Sequence, residues 1–153
     1  YLTKFKIKKE ELSNIYKNNN SKWMVLNGEY MNKSKKDENN NIFNHKLVIF
    51  DILVNDSEYL IGKTFKERIE LLDNLYGKFS SEKDYLYSIS DNIYRVKNYT
   101  NNFTELFDVF SKVDMLEGLV IKRSKAKLEK GIKELNNANS QIKCRKPCKN
   151  YKF

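Results

Sequence analysis

Residues 48–55 read VIFDILVN, and the fold depends on what Asp51 is doing in that run. Length and β-branched content make LVIFDILV (47–54) a buried strand, with Asn55-Asp56-Ser57 turning the chain after it. Asp51 interrupts the apolar pattern directly after Phe50. A carboxylate buried without a partner costs several kcal/mol. Asp51 therefore either marks a strand end at a site or is a structural acid whose partner lies elsewhere in the chain.

Working outward, KWMVLNGEYM (22–31) reads as strand, a tight turn or kink at Asn27-Gly28, and further strand. Before it, Ile7, Leu12, Ile15 and Tyr16 recur at helical spacing, predicting a short amphipathic helix that ends in the Asn run 18–20. The stretch 31–44 is polar and without period, so it is expected to be a loop. On the other side, Thr64 with Glu67 forms a capping box for the helix TFKERIELLDNLY. Its Phe65, Ile69, Leu72 and Tyr76 share one face, and Gly77 closes it. Two short strand-like runs, DYLYSI and NIYRVK, follow. Asn102 with Glu105 then starts a second helix with Phe103, Leu106, Phe107 and Phe110 expected inward. MLEGLVIKR (115–123) is a strand interrupted at Glu117-Gly118, residues 125–140 are basic with weak pattern, and 141–153 read as a strand and a basic tail.

The chain has 153 residues, enough for one domain or part of one, and no internal repeat or Pro/Gly linker divides it. It opens at Tyr1 rather than Met, and is expected to be an excerpt of something longer. No run of about 18 apolar residues exists, and no signal-peptide pattern opens the sequence. Net charge is +9, which favours a polyanionic partner such as nucleic acid or nucleotide phosphates. Cys144 and Cys148 are too few for a disulfide framework or a four-ligand zinc site, and read as reduced thiols of an intracellular protein. His45 is the only histidine and has no nucleophile motif near it, so it reads as a loop or surface residue.

Three strands interrupt their apolar pattern with a carboxylate: Leu26-Asn27-Gly28-Glu29, Phe50-Asp51 and Leu116-Glu117-Gly118. In two of them the acid adjoins a glycine, which lets a ligand or another backbone come close. A fourth strand carries Lys143-Cys144-Arg145, whose alternation points both cations to one face. Singly, an NGE is most often a turn and a Lys/Arg alternation a solvated strand face. Together, acids for a divalent metal or ribose hydroxyls, cations for phosphates and an aromatic face for a base describe a nucleotide site.

In this order the four stretches resemble motifs III (LNGEYM), IIIa (VIFDIL), IV (LEGLVIKR) and V (IKCRKP) of the covalent nucleotidyltransferase superfamily of DNA ligases, RNA ligases and mRNA capping enzymes. The helix after FDIL and the EGLVIKR run look most like ATP-dependent DNA ligases. The resemblance covers the chain from about Trp23 onward. It implies an α+β fold, the antiparallel-sheet, ATP-grasp-like adenylation domain, present in part and without the OB-fold domain that commonly follows motif V. It also implies a role for each matching residue. Phe50 would stack on the purine and Glu29 would contact the ribose or order the site. Glu117 would position the catalytic Mg²⁺ or Mn²⁺. Lys143 and Arg145 would hold the phosphates of ATP, with Lys122 a supporting cation, and Asp51 would order the site from behind.

Two departures are mild: Arg145 stands where the family has lysine, and Asn27 where it often has aspartate. The third is larger. The family's reaction starts with a lysine in a KxDG motif, and no KxDG or KxNG occurs in these residues. The chain is thus expected to be part of an ATP-dependent DNA ligase adenylation domain, from just upstream of motif III through motif V. Its expected partner is nicked duplex DNA or another nucleic acid, its expected state a monomer, and its setting a bacterial, phage or viral cytoplasm or a nucleus. The Lys146-Pro147 step is reminiscent of capping enzymes. RNA ligase or guanylyltransferase is therefore the alternative, and a non-catalytic nucleic-acid-binding remnant of the fold stays open.

Overall fold

The computed structural model describes residues 5–16, 22–77, 83–130, 137–138 and 140–147. In chain order these form α1 (Lys9–Ile15), β1 (Val25–Met31), β2 (Lys35–Lys36), β3 (Ile42–Phe43), β4 (Lys46–Asn55), β5 (Glu58–Tyr59), α2 (Phe65–Tyr76), β6 (Leu86–Ser88), β7 (Ile93–Val96), α3 (Phe103–Phe110), β8 (Gly118–Lys122), β9 (Asn137–Ala138) and β10 (Gln141–Arg145). The first sheet runs β1-β4-β7-β6, with β5 on β4; a second runs β8-β10-β9; β2 and β3 form a hairpin. The pairs are antiparallel except β4 with β7, which run parallel. The expected antiparallel α+β domain is therefore mixed at its centre. After α2 the chain forms β6, and the β6–β7 hairpin then turns it so that β7 lies beside β4 in the same direction.

β4 is the central strand and is buried from both sides, which is why its sequence is apolar almost throughout. On one face Ile49 and Ile52 pack with Ile7 and Ile15 around α1, with Leu72 and Tyr76 of α2, and with Ile93. On the other, Val48 packs with Phe43, Tyr85, Leu86, Phe110, Val113 and Met115. Ile49 and Ile52 are three residues apart and would fall on opposite faces of a regular strand. The register explains their agreement: Asn27 pairs with Asp51 but Gly28 with Ile49, so Phe50 is an extra residue with no partner across β1. Leu53 is a second one. Each bulge flips the alternation and bends the strand.

The expected turn or kink at Asn27-Gly28 is this bulge; β1 itself continues through it. A Cβ on Gly28 would lie 2.6 Å from the Val48 carbonyl oxygen, so only glycine lets the two backbones approach there.

α2 starts as its sequence says. Thr64 Oγ1 accepts from Glu67 N at 3.2 Å while Glu67 Oε2 accepts from Thr64 N at 2.8 Å. At its far end Arg95 of β7, almost fully buried, donates to the Gly77 carbonyl at 2.7 Å and pairs with Asp73 at 2.6 Å. A cation there also meets the negative end of the helix.

Three other expectations are corrected. The polar stretch 31–44 contains the β2–β3 hairpin, whose turn folds around Asp37: its carboxylate accepts from Asn39 N, Asn41 N and Lys83 Nζ. Burial works against the charge on Asp37, but those donors outweigh it and hold its pKa below the usual range. Phe103, expected inward, is 40% exposed at the first turn of α3, while Phe110 is buried. Finally, the strand of motif IV begins at Gly118, leaving Met115–Glu117 in the preceding irregular segment. The Asn run 18–20 and the tail from Cys148 lie outside the described residues, as does part of 125–140.

Candidate functional site

Asp51 has its partner. Arg68 of α2 grips it with two parallel bonds, Nε to Oδ1 at 2.8 Å and one terminal nitrogen to Oδ2 at 2.9 Å, and both side chains are 7% exposed. Oδ1 also accepts from Ile52 N, and the other guanidinium nitrogen donates to the Lys63 carbonyl. The fork of arginine matches a carboxylate in this way, whereas lysine offers only a point charge. The acid is thus the clamp between β4 and α2, directly beneath the bulge that carries Phe50. Arg68 sits three residues after Phe65 and four before Leu72, on the inward face of α2. That helical spacing is the signal in the sequence that puts Arg68 on the buried face.

The second sheet reaches the same place. Lys122, the last residue of β8, brings its ammonium to 3.9 Å from Asp51 Oδ2, 5.7 Å from the centre of the Phe50 ring and 4.7 Å from that of Phe65. The two sheets are fastened by a short ladder beside this contact. Gly62 N bonds Leu128 O, Leu128 N bonds Lys63 O, Phe65 N bonds Ala126 O and Lys66 N bonds Ser124 O. The first amides of α2 are therefore satisfied by residues 124–128, which removes that helix end as an anion site.

Register settles the remaining cations. β10 pairs with β8 so that Gln141 faces Lys122, Lys143 faces Val120 and Arg145 faces Gly118. Alternation then puts Lys122, Lys143 and Arg145 on one face of this sheet. The opposite face presents Leu119, Ile121, Ile142 and Cys144; of these Leu119 packs against the second core cluster and Ile142 is exposed. The expected cationic face thus forms, and through Lys122 it meets Phe50.

Glu117 precedes Gly118, whose φ of +136° is unfavourable for other residues; a Cβ there would lie 2.0 Å from the Cys144 carbonyl oxygen. Glycine here lets β10 press against β8 immediately beside the acid. The Glu117 side chain is 81% exposed and lies 3.9 Å from Arg145 Nε. Such an exposed pair contributes little to stability.

Glu29 is exposed on β1 opposite Val48 and shares a face with Met31, which packs against the second cluster. It lies one residue past the bulge. His45, at the turn into β4, is half-buried with Nδ1 3.0 Å from the Tyr30 hydroxyl, away from these groups.

Among the described residues no three His, Cys, Asp or Glu side chains gather as a metal centre. Glu117 alone does not fit a resident ion. One exposed carboxylate beside cations does fit Mg²⁺ arriving with substrate phosphates, because Mg²⁺ keeps several waters and takes one or two carboxylates. No described helix is long and apolar enough to cross a membrane.

The family model described as ATP dependent DNA ligase domain matches residues 10–138. That span takes in LNGEYM, VIFDIL and LEGLVIKR and ends before IKCRKP. No curated protein and no solved structure matches the chain.

Proposed function

The chain belongs to the ATP-dependent DNA ligase domain family, and on that premise we propose that it holds the nucleotide in an ATP-dependent polynucleotide ligase that seals nicks in duplex DNA. The observation that carries this reading is the meeting of Lys122 with Phe50 and Asp51, which sets the cationic face of one sheet against the aromatic bulge of the other.

In this reading the bulge at Phe50 turns the ring out of the ladder to offer a face for adenine. Base–aromatic stacking of this kind contributes about 1–3 kcal/mol. Lys143 and Arg145, with Lys122, supply positive potential for the phosphates, and the Asp51–Arg68 clamp keeps Phe50 in place from behind. Glu117 would hold the divalent cation, which when bound offsets charge on the transferring phosphate. Glu29 is assigned to the ribose or to ordering the site. In the ligase sequence a lysine takes AMP from ATP and pyrophosphate leaves, the AMP passes to a 5′-phosphate, and a 3′-hydroxyl attacks that phosphate to form the phosphodiester and expel AMP.

No KxDG lysine is among these 153 residues. The chain is accordingly predicted to bind ATP without forming a covalent adduct. Intact-mass analysis after incubation with ATP and Mg²⁺ is expected to show the unmodified mass. An added AMP overturns the assignment of the missing nucleophile.

A further inference from the structure

Glu117 lies in an irregular segment between α3 and β8, and its side chain stands mostly in solvent. Its recorded ion pair, with Arg145 Nε at 3.9 Å, is exposed on both sides and holds the carboxylate only weakly, so its position comes chiefly from the backbone. That backbone is held from two sides. On one side Met115 N donates to the Lys36 carbonyl and Lys36 N to Asp114 Oδ2, both at 2.9 Å, with Val113 and Met115 buried beneath. On the other side is Lys146, the residue that follows β10. Lys146 donates from its main-chain nitrogen to the Glu117 carbonyl at 2.9 Å. Its ammonium bridges the carbonyls of Val113 at 2.9 Å and Asp114 at 3.3 Å.

Those two carbonyls lie just after α3, where the chain leaves the helix. A long stem ending in three donors can satisfy both at once. Lys146, the first residue of the basic tail after β10, serves here as a staple.

We propose that Lys146 is a positioning residue that sets where Glu117 stands relative to Lys143 and Arg145. The inference rests on the nucleotide-site reading above. Lys146 follows Arg145 directly, so its three bonds join the strand bearing the phosphate cations to the segment bearing the acid. The acid and the cations then keep one spacing, so that Glu117 would be in place for a divalent cation carried in with the substrate phosphates. Supporting residues around a metal carboxylate commonly change metal affinity by 10–100-fold when removed.

The test titrates Mg²⁺ against ATP binding, followed by calorimetry, for the wild-type chain and for Lys146→Met, Lys146→Arg and Glu117→Gln. Lys146→Met is expected to need at least about tenfold more Mg²⁺ for its half-maximal effect, and to differ from wild type less without Mg²⁺ than with it. Lys146→Arg is expected to restore the wild-type response. Amide exchange of Leu116–Gly118 should also quicken in Lys146→Met with no nucleotide present. Should Lys146→Met not fold, Lys146→Gln keeps one donor and is expected to shift in the same direction. A folded Lys146→Met or Lys146→Gln with the wild-type Mg²⁺ response overturns the positioning role and leaves the site reading standing. A wild-type chain whose ATP binding ignores both Mg²⁺ and Glu117→Gln overturns both.

Discussion

Asp51 shows how far a single residue can be read. A lone acid in an apolar strand had to be paired or at a site, and the structure pairs it with Arg68, buried, bidentate and shared with Lys122. Removing one member of a buried pair strands the other's charge, which typically destabilises by about 3–5 kcal/mol. Asp51→Asn is therefore predicted to lose stability on that scale in urea unfolding, with a smaller loss when Arg68→Met is added. A loss below about 1 kcal/mol for the single variant would show that Arg68 finds water instead. The demand for a partner was legible from Asp51 alone. Its identity was not, because strand and helix residues 17 apart carry no local signal of contact. The same limit hid the buried Arg95, paired with Asp73 across the far end of α2.

Elements with a clear side-chain pattern are legible in the sequence: α1, β4, α2, α3, β8 and β10 form close to where the patterns put them. The β2–β3 hairpin was missed because polar side chains around Asp37, not an apolar face, hold it together. The joint between α1 and the turn before β7 has the same chemistry. Glu11 is buried and accepts from Ser90 Oγ, Asn92 N and the Asn92 side chain. Burial opposes its charge, but these donors prevail and lower its pKa to about 2.

A depressed carboxylate stabilises fully above its unfolded pKa, near 4.5, and loses that contribution as pH falls toward its folded value. The stability difference between wild type and Glu11→Gln is thus predicted to be constant from pH 7 to about 5 and to shrink between about pH 4.5 and 2. Urea midpoints across that range check it; a difference independent of pH contradicts the donor set.

At the scale of the whole molecule, two sheets meet where residues 124–128 pair with 62–66, and the meeting brings Lys122 onto Phe50. The motifs, their order and the cationic face of β10 were legible in the sequence. The parallel β4–β7 pair and the division into two sheets were not, because strand pairing is decided by which face each helix covers. A net charge of +9 suits a nucleic-acid partner and makes any phosphate contact sensitive to salt.

The central claim is that Phe50 and the cationic face of the second sheet together hold ATP. Its most direct test is equilibrium binding of ATP to the chain and to Phe50→Ala. Saturable binding that weakens by about 1–3 kcal/mol in Phe50→Ala is the predicted result. Binding untouched by Phe50→Ala, or none at all in the wild-type chain, would contradict it.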